Sequence, residues 1–255
     1  MIDDPLPTDW KALQAGVRRL FNEIGLTASV EVPLRTPRGT VSVDVFAVDE
    51  NSVDNIQYLV ECKNWSEPIP QSVVHAFTTV MHETGANLGF IVSKYGLQSG
   101  ATRYTESTNI LGLTYQELQE RYFKAWWQRF FCARVADAAE VVNQYVEPFN
   151  SWRGRFLDEL PAQEVARFET LQKRYAAFGM GMWLMDVGNL VPKYAHDAPP
   201  GIQQYKGKLS EVLGEEFSFK ATSFRQLLEE ICERLRSIEE EFNAIFGRNI
   251  FHRET

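Results

Sequence analysis

The chain has 255 residues, of which 44% are hydrophobic and 24% are charged, a composition typical of a globular protein. Its net charge of −8, with no basic excess in either half, argues against a protein that coats nucleic acid through bulk positive charge. Apolar runs such as residues 88–92 are far shorter than the roughly 20 residues that cross a bilayer. The acidic N-terminus lacks the pattern of a secretory signal, so we expect a cytoplasmic protein with no membrane partner.

The cysteines indicate neither disulfides nor zinc. Cys62, Cys132 and Cys232 lie far apart and form no CxxC pair. An odd number of cysteines also cannot complete an intrachain disulfide framework. We therefore expect three reduced thiols.

Residues 8–115 alternate between helical and strand patterns. Apolar positions at helical spacing predict a first helix that Thr8 or Asp9 caps and Gly25 ends. The predicted elements in chain order are a helix over residues 8–24, strands over 28–32, 41–48 and 56–63, a helix over 71–84, a strand over 88–93, a helix over 96–107 and a strand over 110–114. Residues 33–39 are predicted as a turn. This order, αβββαβαβ, predicts a mixed α/β sandwich.

The second half of the chain has mainly helical periodicity. The predicted helical segments are residues 116–146, 161–178, 203–213 and 222–246. Pro192 and residues 199–201 break this pattern, and residues 150–154 are predicted as a loop. We therefore predict an α/β domain over residues 1–115, followed by an all-α domain over residues 116–255.

The last predicted helix carries an apolar seam. Seven apolar residues follow a 4-3-4-3-4-3 spacing, which is the signature of a helix–helix contact: Phe224, Leu228, Ile231, Leu235, Ile238, Phe242 and Ile245. A partner helix must cover this seam. The partner is either another helix of the same half or the same helix of a second copy, which would make a homodimer.

Three charged residues lie within the two longest predicted strands. Side chains alternate along a strand, so Glu61 and Lys63 share one face, and Asp44 on the neighbouring strand can face Glu61 across the hairpin. Charges in the middle of apolar strands are costly to bury without compensation. A bound cation would compensate the two carboxylates.

These residue types match the chemistry of phosphodiester hydrolysis, which needs oxygen ligands for a divalent cation, an activated water and positive charge near the transition state. Asp44 and Glu61 would supply oxygen ligands for Mg²⁺ or Mn²⁺, joined by the backbone carbonyl of Cys62. Lys63 would hold the nucleophilic water and the phosphate.

Asp44 together with the segment Val60-Glu-Cys-Lys63 resembles the PD-(D/E)xK nuclease superfamily, specifically its Mrr-like restriction endonuclease branch. The glycine-containing segment 85–101 and the first helix are also similar to that branch, so the resemblance covers about residues 8–115. It implies a restriction-endonuclease-like fold and a Mg²⁺-dependent endodeoxyribonuclease that leaves 5′-phosphate and 3′-hydroxyl ends. It also implies a role in bacterial restriction or anti-phage defence.

The resemblance suggests two further site positions. Many relatives carry a glutamate in the first helix, where this chain offers Gln14 or Glu23. Gln71 stands where relatives often have a polar active-site residue, which makes it a fourth catalytic candidate.

Other interpretations compete with this one. Asp44, Glu61 and Lys63 could form an exposed salt-bridge cluster with no chemistry. A catalytically silent or partner-activated module, binding DNA or a protein of a defence system, would suit the acidic composition, and RNA remains an alternative substrate. Four aromatic residues could stack on bases, although core and interface packing is favoured for all of them: Trp65, Tyr95, Trp126 and Trp127.

Overall fold

The computed structural model describes residues 1–186 and 201–252. The chain divides into two compact units. We call Asp4–Arg129 the sheet unit, and Met1–Asp3 together with Phe130–Thr255 the helical unit. Within the described residues, no helix is both long and apolar enough to cross a membrane.

The sheet unit contains the eight predicted elements in the predicted order, followed by one further helix. They are α1 (Trp10–Glu23), β1 (Thr27–Thr36), β2 (Gly39–Asp49), β3 (Ile56–Lys63), α2 (Gln71–Thr84), β4 (Leu88–Ser93), α3 (Ser99–Thr105), β5 (Ile110–Thr114) and α4 (Tyr115–Trp126). The strands form one sheet in the order β1-β2-β3-β4-β5. The β1–β2 and β2–β3 pairs are antiparallel, and the β3–β4 and β4–β5 pairs are parallel. The predicted mixed α/β fold is confirmed.

The first strand is longer than predicted. The sequence places a turn over residues 33–39, but β1 continues to Thr36, and Pro33 pairs with Ser42 of β2. Proline cannot donate a backbone hydrogen bond, which makes it a poor strand residue except at a sheet edge. β1 lies at the edge, so the missing N–H of Pro33 costs the ladder little.

Helices cover both faces of the sheet. Phe21 of α1 packs edge-on against Phe90 of β4, with their ring centroids 6.0 Å apart. On the other face, Phe77 and Met81 of α2 are buried in one cluster with Leu59 of β3. Glu61 and Lys63 continue the face of Leu59, because alternate strand residues point the same way.

The sheet unit extends through α4, beyond the predicted boundary at residue 115. Thr114 caps this helix in a capping box with Glu117. The ring of Tyr122 lies 5.5 Å from Phe21, and the indole N–H of Trp126 donates to Glu23 Oε2 at 2.6 Å. These contacts hold α4 against α1. The boundary therefore falls after Arg129, inside a π-helical turn over Trp127–Phe131.

The helical unit buries its apolar seam within itself. Its helices are α5 (Cys132–Val146), α6 (Ser151–Leu157), α7 (Ala162–Trp183), α8 (Ile202–Leu213) and α9 (Phe224–Phe246). All seven seam residues of α9 are buried. Phe242 stacks on Tyr145 of α5 at 4.8 Å and packs against Phe168 of α7 at 5.5 Å. Helices of the same unit therefore cover the seam, and a dimer through it is not supported.

The predicted loop at residues 150–154 is wrong. Asn150 is the N-cap of α6, where its side chain accepts a hydrogen bond from the Arg153 N–H at 2.8 Å. This cap allows a short helix despite Gly154. The predicted break at Pro192 and at residues 199–200 lies outside the described residues, and Gly201 precedes α8.

Candidate active site

The antiparallel strands β2 and β3 part at Asp44. Their ladder ends at the pair Val45–Val60, so Asp44 and Glu61 would form the next pair. Instead, the Asp44 carboxylate enters the gap, and its Oδ2 accepts the backbone N–H of Cys62 at 2.7 Å. A side-chain oxygen thus replaces a backbone acceptor at the point where the strands separate.

The backbone of β1, which pairs with the other edge of β2, is irregular next to Asp44. Glu31 of β1 lies between Val30 and Val32, which pair with Val45 and Val43 on either side of Asp44. Its φ of 52° is in the left-handed region that non-glycine residues rarely adopt. Such strain concentrates at functional sites.

Gln14 fixes the second oxygen of Asp44. Its Nε2 donates to Asp44 Oδ1 at 2.9 Å, and only 3% of its side chain is exposed. An ionised carboxylate can only accept hydrogen bonds, so the amide nitrogen must face it. Glu23, the alternative in the first helix, instead accepts the hydrogen bond from Trp126. Gln14 is therefore the α1 residue at the site.

Glu61 and Lys63 share one strand face, as predicted, and form an ion pair between Oε1 and Nζ. Both side chains are about three-quarters buried, at 26% and 23% exposed. Burial raises the pKa of Glu61; Asp44 adds to the increase, and Lys63 opposes it. Two carboxylates thus meet one ammonium in a partly desolvated site, which leaves negative charge unmatched.

Cys62 can contribute through its backbone. Burial raises the pKa of its thiol well above the ordinary value, and Asp44 and Glu61 add to the increase, so the thiol stays neutral. The side chain is fully buried. In a strand, the N–H and C=O of one residue point to the same side, so the carbonyl of Cys62 lies on the side where its N–H meets Asp44.

This donor set fits a hard divalent cation. Mg²⁺ is usually held by one or two carboxylates, with waters completing the octahedron. Asp44 and Glu61 supply two carboxylates; burial raises the pKa of Glu61, Asp44 adds to the increase, and a cation would relieve that repulsion between the two carboxylates. Among residues 1–186 and 201–252, no three His, Cys, Asp or Glu side chains lie together as a metal site.

Gln71 lies apart from these contacts. It begins α2 on the exposed surface, and its Nε2 lies 3.1 Å from His75 Nε2. Across the described part of the chain, no hydrogen bond joins Gln71 to Asp44, Glu61 or Lys63. Its catalytic role stays a prediction.

Residues 6–122 match the family model Mrr_cat, described as a restriction endonuclease. No curated protein matches the chain. Among solved structures, the crystal structure of a protein of unknown function, AF1548, is 13% identical, with a TM-score of 0.37, over 92% of this chain and 98% of that chain. A similarity of that degree does not establish a shared fold for the whole chain. The family match includes Gln14, Asp44, Glu61 and Lys63, and it confirms the resemblance of this part of the chain to an Mrr-like restriction endonuclease domain.

Proposed function

We propose that this protein is a Mg²⁺-dependent endonuclease that hydrolyses DNA phosphodiester bonds, with Mn²⁺ as a substitute cation. The observation that carries this proposal is the pair of carboxylates, Asp44 and Glu61, next to Lys63 where β2 and β3 part. It lies within the segment that matches the restriction endonuclease family. Unmatched, partly buried charge of this kind is typical of catalytic sites.

Each residue has a separate task in this mechanism. Asp44, whose two oxygens are fixed by Gln14 and the Cys62 N–H, would hold the cation together with Glu61 and the Cys62 carbonyl. When bound, the cation supplies positive charge at the scissile phosphate and acidifies the attacking water. The Lys63 ammonium, which pairs with Glu61 here, would exchange that partner for the phosphate and the water.

The biological role that we propose is bacterial restriction or anti-phage defence in the cytoplasm. The family match of residues 6–122 supports it. The helical unit would then recognise the target, regulate the nuclease or bind a protein partner. A homodimer that places one site on each DNA strand would use a surface other than the buried α9 seam.

A second candidate is a nuclease-fold module that is silent until a partner activates it. The net charge of −8 favours this candidate, because an acidic chain binds the DNA polyanion weakly. Cationic groups of a partner would then supply the contacts with DNA. Under this candidate the isolated chain does not cut DNA.

The test is cleavage of plasmid, linear duplex and single-stranded DNA in Mg²⁺, Mn²⁺ or EDTA. We expect Asp44→Asn and Lys63→Ala each to lower the rate at least about 100-fold, because each removes a group that stabilises the transition state. Asp54→Asn and Lys173→Ala change exposed residues that make no described contact with Asp44, Glu61 or Lys63, and both variants should cut like the native chain. Circular dichroism checks that every variant is folded.

The outcomes separate the candidates. Cleavage that needs the cation and is lost only in the two site variants supports the nuclease. Absence of cleavage by the folded native chain under every condition favours the partner-activated module. Cleavage that is unchanged in both site variants refutes the assignment of Asp44 and Lys63.

A further inference from the structure

Two large aromatic side chains are exposed at one edge of the sheet. Trp65 is 45% exposed and Tyr95 is 51% exposed. Lys63 and Ser93, the last residues of β3 and β4, are register partners, and each aromatic residue follows its strand end by two positions. Both residues therefore lie at the carboxyl edge of the parallel part of the sheet, and the Trp65 ring lies beside the proposed catalytic lysine.

This exposure divides the four aromatic residues that the sequence groups together. Trp126 and Trp127 are buried, at 0% and 1% exposed, which confirms the favoured prediction of core packing for them. Trp65 and Tyr95 are not core residues, so of the predicted core and interface packing only the interface alternative is left for them. Leaving an indole and a phenol half in water forgoes much of the free energy of burying them.

A lysine ammonium accompanies each exposed ring. Lys63 Nζ lies 5.9 Å from the centroid of Trp65, and Lys94 Nζ lies 5.3 Å from the centroid of Tyr95. Proteins that bind single strands combine aromatic faces, on which bases stack, with cations that follow the phosphate backbone. The edge offers this combination twice, on adjacent strands.

A small cavity opens at the same edge. Its volume is about 140 Å³, and its lining includes Asn64 and Lys94, the residues directly before the two aromatics. Ser93, Thr114 and Gln116 add hydroxyl and amide groups to the lining. Such groups can donate to and accept from the edge of a base that is not paired.

The net charge of the protein also favours single-stranded DNA over duplex DNA. Duplex binding depends more steeply on neutralised phosphates than single-strand binding does, and this chain has a net charge of −8. Stacking does not need bulk positive charge. It does need bases whose faces are free, which an intact duplex does not offer.

We propose that Trp65 and Tyr95 are a stacking platform for unpaired bases, so that the site takes single-stranded DNA or an unpaired segment rather than uninterrupted duplex. Cleavage of the bound strand rests on the proposed nuclease function. Binding of the strand to the platform does not depend on that function. A base stacked on Trp65 would place its backbone near Lys63, whose ammonium already lies over that ring.

The experiment is fluorescence anisotropy with a labelled single strand of about 16 nucleotides, and with the same sequence as a duplex, both in EDTA. Four chains are compared: native, Trp65→Ala/Tyr95→Ala, Trp65→Phe/Tyr95→Phe, and Phe149→Ala. The last is a matched control, because Phe149 is 94% exposed and belongs to the helical unit. Thermal melting confirms that each chain is folded.

We expect the native chain to bind the single strand at least about tenfold more tightly than the duplex, and the double alanine variant to lose at least about tenfold of that affinity. The double phenylalanine variant should stay close to native, because it keeps two stacking faces, and so should Phe149→Ala. Equal or tighter duplex binding, equal affinity in the alanine variant, or no binding of the single strand by the native chain would overturn the proposal.

The cleavage assay with Asp44→Asn and Lys63→Ala judges the nuclease function separately. If cleavage depends on Asp44 and Lys63 but is unchanged by the aromatic substitutions, the stacking platform is refuted and the nuclease function is supported. Aromatic-dependent binding without cleavage would leave the platform standing and count against the nuclease.

Discussion

The two units bury charged side chains in different ways. In the helical unit, Arg153 is 5% exposed, and its guanidinium donates to the carbonyls of Gln144, Tyr145 and Glu147 at 2.8–2.9 Å. These carbonyls lie at the C-terminal end of α5, where positive charge is favourable. In the sheet unit, Asp44 and Glu61 meet one lysine, and the pKa of Glu61 is raised.

The comparison separates a charge that the fold largely compensates from the charges of the proposed cation site. Arg153 donates to three acceptors that the end of α5 leaves open, and these bonds offset part of the cost of its burial. The compensation is incomplete, because its Nε has no hydrogen-bond partner among the described residues and burial lowers its pKa. The carboxylates of the sheet unit are brought together with less compensation than they need, which is the condition for binding a cation. Substitutions should therefore affect folding in one unit and cation binding in the other.

The largest effect on stability is expected for Arg153→Ala. It removes the donors from three carbonyls, one of them buried and two partly buried, so we expect a loss of about 3 kcal/mol in the free energy of unfolding. Arg155→Ala, two residues away at an exposed position, should change it by less than about 0.5 kcal/mol. Urea unfolding followed by circular dichroism measures both, and equal small losses would refute the structural role of Arg153.

A smaller effect, dependent on the cation, is expected for Gln14→Glu. A third carboxylate beside Asp44 should destabilise the chain in EDTA by about 2 kcal/mol, because like charges would share a buried site. Added Mn²⁺ should restore most of this loss. Gln14→Ala is the matched comparison: it loses one hydrogen bond, about 1 kcal/mol, without a new carboxylate.

The measurement is the melting temperature with and without Mn²⁺. If Mn²⁺ raises the melting temperature of Gln14→Glu no more than that of Gln14→Ala, Gln14 does not border a cation site.

The smallest expected effect is a pH dependence of the free energy of unfolding that arises from Glu61. Because the pKa of Glu61 is raised in the folded chain, its ionised form is disfavoured there, and its contribution to stability is lost as the pH rises through that pKa. In EDTA, the stability of Glu61→Gln relative to the native chain should therefore increase as the pH rises above the ordinary glutamate pKa of about 4. Mg²⁺ should oppose this trend, because it favours the carboxylate.

Thermal melting across this pH range measures the difference. Glu67→Gln, at an exposed position, serves as the control. If the difference in melting temperature between the native chain and Glu61→Gln does not change with pH, the folded chain does not disfavour the ionised form of Glu61.

The sequence predicts the sheet well where local patterns are strong. β3, α2, β4 and β5 have the predicted bounds, because each apolar run of distinct period has glycine, proline or asparagine next to it on at least one side. β1 and α6 were misjudged, because Pro33 and Gly154 disfavour regular structure in general but are tolerated at a sheet edge and in a short capped helix. The conformational preference of a single residue does not show whether it lies at a sheet edge or in a capped helix.

The site was predicted in part for a similar reason. The shared face of Glu61 and Lys63 follows from strand alternation alone. The choice of Gln14 over Glu23 depends on how α1 packs on β2, a contact across thirty residues of sequence. The exposure of Trp65 and the burial of Trp126 likewise depend on tertiary packing, since the residue type is the same.

The most direct test of the account is titration of the metal-free chain with Mn²⁺ by isothermal calorimetry. The native chain and Asp54→Asn should bind Mn²⁺ saturably and alike, whereas Asp44→Asn and Glu61→Gln should each weaken binding at least about tenfold, because each removes a carboxylate ligand. Folded native chain that binds no Mn²⁺, or binding that both site variants retain in full, would contradict the claim that Asp44 and Glu61 form a divalent cation site.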